Sequence, residues 1–133
     1  MATETEPTGR GFLQVRVSTA GEALPVENAI VTIAEQGRDG MAGQLLYRTP
    51  TDRSGLTPVF SLPAPPASTG ERPGGAVPYA EYRVEVNAER FISQIFEGVP
   101  IFGGVTTVQP AMLMPAGTNR PAPERFPPYS STL

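Results

Sequence analysis

Proline, set against a period-two alternation of apolar residues, constrains this chain more than any motif in it. Sixteen prolines and 14 glycines fall among 133 residues. A proline inside a helix removes a backbone hydrogen bond and clashes with the preceding turn. No segment of helical length shows apolar residues at a 3.6-residue spacing. Between the breakers, short stretches alternate instead. In Gly11–Ser18, Leu13, Val15 and Val17 share one face, and Gln14, Arg16 and Ser18 the other. In Tyr79–Asn87, Tyr82, Val84 and Val86 point one way while Arg83 and Glu85 point the other. Such alternation is the signature of a half-buried strand.

The same reading predicts strands over Val26–Glu35, Gln44–Thr49, Leu56–Leu62, Arg90–Glu97 and Val105–Met114. Pro58 places the Leu56–Leu62 strand at an edge or a bulge. Thr51-Asp-Arg-Ser-Gly55 reads as a tight turn, in which Asp52 bonds its own backbone and Gly55 supplies a positive φ. Gly98–Gly104 (GVPIFGG) reads as a short apolar link. Seven short strands with Gly/Pro punctuation predict an all-β sandwich. The domain spans residues 11–115, with an N-terminal arm over 1–10. The Pro/Gly stretch at 63–78 shows no apolar periodicity and reads as a long loop. Residues 116–133 form a Pro-rich arm, and Pro115–Leu133 holds five prolines in 19 residues. Polyproline II is the natural state of such a segment, with a reach of roughly 55 Å. The radius of a 100-residue domain is only about 13 Å. Phe126, Tyr129 and Leu133 are apolar anchors on this arm, suited to docking in a groove.

The missing residue types narrow the chemistry. There is no Cys, His, Trp or Lys. The usual N/S ligands for zinc or iron are therefore missing, as is the common base of nucleophilic catalysis. All ten basic residues are Arg, in no cluster, against a net charge of −3. That argues against nucleic acid as a partner. The opening residues lack the basic and apolar regions of a signal peptide, and no apolar run nears 18 residues. No membrane insertion and no cofactor are expected. A two-carboxylate mechanism would need a pair such as Glu81 with Glu85. Four residues apart on a strand face they lie about 13 Å from each other, beyond the roughly 5–10 Å such a mechanism uses. The expectation is that the chain is not an enzyme.

Several segments then fall in a familiar order: GFLQVRVSTA, LPVENAIVTI, TDRSGLTPVFSLPAP, PYAEYRVEVNAERF and VPIFGGVTTVQPAMLMP. This order resembles the carboxypeptidase regulatory-like domain, a transthyretin-like seven-strand sandwich, over about residues 11–115. The shared features are the T-D-x-x-G turn, the Y-x-V-x-V strand, the aromatic position at Phe91 and the closing Gly104-Val-Thr-Thr107 strand. The resemblance is closest to versions associated with spore cortex-lytic and peptidoglycan-associated proteins of clostridial-type bacteria. It implies a spore- or cell-surface setting, although no hydrolase or peptidoglycan-binding repeat is on the chain. Two related families are also similar in fold: hydroxyisourate hydrolases, which rely on histidines, and intradiol dioxygenases, which bind iron through His and Tyr. The absent histidine argues against both activities.

The leading expectation is a structural subunit that associates with itself, through strand edges and terminal arms, into a filament or other homo-oligomer. Its candidate contacts are Ile101, Phe102, Phe126, Tyr129 and Leu133, with the 63–78 loop also facing the partner. The alternative is an accessory module that binds peptidoglycan, another carbohydrate or a partner enzyme, with Tyr79 and Tyr47 as the aromatic platform. Tyr82, on the inward parity of its strand, is assigned to the core. Met112 and Met114 flank Leu113, so either one parity faces outward or both faces are covered.

Overall fold

The computed structural model describes residues 9–37, 41–66 and 78–117. Eight strands carry the fold: β1 (Gly9–Thr19), β2 (Leu24–Pro25), β3 (Ile30–Gln36), β4 (Ala42–Pro50), β5 (Phe60–Ala64), β6 (Tyr79–Asn87), β7 (Gln94–Phe102) and β8 (Thr106–Met112). They form two four-stranded sheets. In the first, β1 pairs with β8 on one side and with β5 and then β2 along the other; in the second the order is β4-β3-β6-β7. The β1–β8 pair is parallel and the remaining pairs are antiparallel. The expected all-β two-sheet class is the observed one, with the two-residue β2 added to seven longer strands.

The core is the inward parity of both sheets. Leu13, Val15 and Val17 from β1 meet Val31, Ile33, Val84 and Val86 from the second sheet, closed by Phe60, Leu62, Val99, Ile101, Ala111 and Leu113. Burying each such aliphatic side chain contributes about 1.5–3 kcal/mol. Gly11 permits the close approach at one end of the sandwich, where a Cβ would collide with the Phe102 carbonyl.

Several boundaries differ from the sequence expectation. Gly9 and Arg10, expected in the N-terminal arm, are strand residues, paired with Ala64 and Pro63. For the same reason Pro63 and Ala64 belong to β5 and not to the long loop. The larger correction is at β7. Gly98–Phe102 is not a link but the second half of a strand that begins at Gln94. A bulge places both Glu97 and Gly98 opposite the single residue Arg83. Gly98 has φ +69, and a glycine at positive φ absorbs the extra residue. Its displaced N–H donates to Gln36 Oε1 at 2.7 Å. The bulge shifts the alternation, so Phe96 and Val99 both turn inward, three residues apart.

Proline follows pairing. The strands paired on both sides, β1, β3 and β6, contain none. Each strand with a partner on one side only contains one: Pro25 in β2, Pro50 in β4, Pro63 in β5, Pro100 in β7 and Pro110 in β8. A proline cannot donate to a ladder, so it is tolerated where its nitrogen faces away from the neighbour, and there it denies a bond to an incoming strand.

Candidate functional site

The β8 edge shows how far the blunting goes. The Phe12 N–H donates to the Val105 carbonyl at 2.9 Å, and the Leu113 N–H to the Ser18 carbonyl at 2.8 Å. In a parallel pair of this register the odd-numbered residues of β8 bond to β1. Thr106, Val108, Pro110 and Met112 therefore turn their backbone groups outward. Pro110 has no N–H. Its carbonyl accepts from Gln109 Nε2 at 2.8 Å, and the Met112 carbonyl accepts from Gln94 Nε2 at 2.6 Å. Full backbone capacity for an added strand remains at only Thr106 and Val108. Strand addition along this edge, expected from the sequence, is disfavoured by these three devices.

The side-chain faces are more open. On the outer face of the second sheet, Tyr79 of β6 pairs directly with Phe102 of β7. Their ring centroids are 5.3 Å apart with planes tilted by 59°, a favourable aromatic geometry. Phe102 remains 37% exposed. Ile95 is exposed on the same face, opposite Glu85. Beside them Arg83 Nη1 holds Glu97 Oε2 at 2.9 Å. A second apolar strip runs along the outward parity of β8, with Val108 and Met112 exposed and Met114 beyond the strand.

The structure separates the expected site residues. Phe102 is exposed and joined to Tyr79. Ile101 is not part of an exposed patch: it is fully buried, because the Gly98 bulge sets Val99 and Ile101 facing the core. Tyr47 is no open platform either. It shares the inward parity with Ile33, stacks on Phe60 at 4.6 Å and donates its hydroxyl to the Ser61 carbonyl at 3.1 Å. Phe126, Tyr129, Leu133 and residues 67–77 of the long loop lie outside the described residues. Of Met112, Leu113 and Met114, only Leu113 is buried, so one parity faces outward. Ile95 and Val108 were not singled out as surface residues. Isolated apolar residues in strands look alike in sequence whether they face core or water.

Tyr82 is a core residue, as its parity requires. Its hydroxyl donates to the Pro63 carbonyl, tying the two sheets together. Burial pushes its pKa above the usual value; Glu35 adds to that and Arg10 opposes it. The Asp52 turn is also structural. Oδ1 accepts from the Ser54 and Leu56 N–H groups at 2.8 and 2.9 Å.

No protein-family model matches the chain, and neither does any curated protein sequence. Solved structures do resemble it. GBS52, the minor pilin of Streptococcus agalactiae, has a TM-score of 0.55 at 14% identity, over 89% of this chain and 49% of the pilin. Catechol 1,2-dioxygenase from Pseudomonas arvilla C-1 has a TM-score of 0.53 at 15% identity, over 88% of this chain and 55% of the enzyme. Transthyretin from Sparus aurata has a TM-score of 0.46 at 15% identity, over 79% and 90%. The chain thus spans about half the length of the pilin and of the dioxygenase. At these identities the likeness is one of fold.

These findings correct the expectation that the chain is not an enzyme. Dioxygenases use the same sandwich, so the fold gives no ground for excluding catalysis. A His-and-Tyr iron site of the dioxygenase kind does not fit this chain, which has no His and commits the Tyr82 hydroxyl to Pro63.

Proposed function

We propose that this chain is a structural or binding module that associates with itself through the outer face of its β4-β3-β6-β7 sheet, together with the Pro-rich segment 116–133. The product would be a homo-oligomer or filament at a spore or cell surface. The observation that carries this reading is the exposed Tyr79–Phe102 pair with Ile95 on a face whose flanking strands carry prolines. The aromatic pair supplies the kind of apolar anchor that protein interfaces use, with Ile95 further along the same face opposite Glu85. Phe126, Tyr129 and Leu133 supply anchors for the same kind of contact. A heterologous contact of this sort, repeated, closes a ring or grows a fibre. The likeness to a minor pilin supports such a use of the fold.

A second reading has one observation in its favour. Tyr79 is partly open on that face, and an aromatic ring is a platform for a sugar. On this reading the module holds peptidoglycan, another carbohydrate or a cell-envelope protein.

The test is mass in solution across a concentration series. The wild type is expected to exceed 14.1 kDa and to grow heavier with concentration. Phe102→Asp, at a partly exposed position, is expected to return it to the monomer while the chain stays folded, as read by circular dichroism. A monomer at every concentration contradicts self-association and turns attention to a glycan screen.

A further inference from the structure

The outer face of the other sheet carries a cleft of about 270 Å³ where the end of β1 meets two turns. Arg16 and Ser18 of β1, Glu22 of the β1–β2 turn, and Arg53 and Ser54 of the Asp52 turn line it. Three features set it apart from ordinary surface. First, Ser18 is only 5% exposed. Its backbone carbonyl is taken by Leu113, but its hydroxyl has no hydrogen-bond partner among the described residues. Buried hydroxyls are nearly always paired, and an unpaired one calls for an explanation. Second, Arg16 meets Glu22 only loosely, at 3.9 Å, with both side chains about half exposed. A well-made guanidinium–carboxylate pair sits about 1 Å closer and is often bidentate. Third, Arg53 has no side-chain partner among the described residues. The backbone of its turn is held in place by the Asp52 bonds to the Ser54 and Leu56 N–H groups.

We propose that this cleft binds a carboxylate group. The ligand's oxygens would take the Ser18 hydroxyl as donor and the Arg16 and Arg53 guanidinium groups as charge partners. Glu22 occupies part of that role in the free protein and acts as the competing internal carboxylate. Guanidinium groups suit planar carboxylates. Pro25, which also lines the cleft, offers an apolar contact for the carbon chain behind the carboxylate. This site goes beyond the self-association reading and lies on the opposite sheet, so either can fail alone.

The experiment is a titration of the isotope-labelled full chain with glutarate, and separately with inorganic phosphate, followed by NMR at constant ionic strength. Saturable shifts at the Ser18, Arg53 and Ser54 amides are expected with glutarate. Arg53→Gln, at an exposed side chain that holds nothing in place, is expected to weaken binding about tenfold, the equivalent of one lost charged contact. Ser18→Ala is expected to weaken it by a smaller factor. Glu22→Gln is expected to tighten it severalfold, because the competing carboxylate is gone. A merely structural role for Glu22 predicts no such gain. Shifts that never saturate, or that are unchanged in Arg53→Gln, overturn the proposal. Tighter binding of phosphate than of glutarate overturns the assignment to a carboxylate.

Discussion

Thr51, Asp52 and Gly55 show how much one turn can fix. Thr51 Oγ1 accepts from the Ala29 N–H at 3.0 Å and donates to the Val26 carbonyl at 2.6 Å, both buried. Asp52 closes the turn, and Gly55 sits at φ +80, where a Cβ would collide with the Val17 carbonyl. Gly55→Ala is therefore expected to cost about 1–3 kcal/mol, from strain at positive φ, as read from chemical denaturation. Tyr82 gives a pH signature. Its folded pKa lies above the ordinary tyrosine value of 10.0 because burial disfavours the phenolate. The neutral phenol's contribution is complete below pH 10 and is lost as pH rises through the folded pKa. Stability is expected to fall in that alkaline range in the wild type, and less steeply in Tyr82→Phe, which has no phenol to ionise. Equal slopes in urea titrations at high pH would show that another group governs the fall. The turn and the inward Tyr82 were both legible in the sequence, because turn chemistry and strand parity are local. Ile101 was not. A bulge at Gly98 resets the parity, and nothing in the string GVPIFGG says whether its first glycine ends a strand or bends it.

At the scale of the element, proline marks the strands that end each sheet. Read one at a time in the sequence, prolines are simply breakers of regular structure. Their meaning appears only once pairing is known. Five strands with one free side each carry one, and three fully paired strands carry none. The strands were legible from alternation, while their order in the sheets depends on contacts far apart in sequence, such as the parallel β1–β8 pair. The arrangement makes a prediction. Pro110→Thr restores an outward N–H in the middle of β8 and so lengthens the open run from Thr106 to Met112. It is expected to speed aggregation severalfold, read as light scattering during incubation at 37 °C. Pro110→Ser on the same strand, also able to donate, is expected to behave alike, which separates the N–H from β-branching. Unchanged scattering in both would mean that the proline does not guard this edge.

At the scale of the molecule, the sandwich presents two unlike outer faces. One bears the Tyr79–Phe102 pair and Ile95; the other bears the arginine-lined cleft beside Val108 and Met112. Tyr79 and Phe102 were each singled out in the sequence, but in separate roles, because their pairing across β6 and β7 is not local; the cleft was not legible, since it gathers residues from β1 and two separate turns. With the edges blunted, the proposed association between copies falls to side-chain faces. Among the described residues no helix is long and apolar enough to cross a membrane. The most direct test is an NMR concentration series on the full chain. The account predicts that the Ile95, Tyr79 and Phe102 side-chain signals shift with concentration while the Thr106 and Val108 amides stay unchanged and exchange rapidly. Slowed exchange at Thr106 and Val108 would show strand addition at the β8 edge, and signals independent of concentration would show no association; either result would contradict the account.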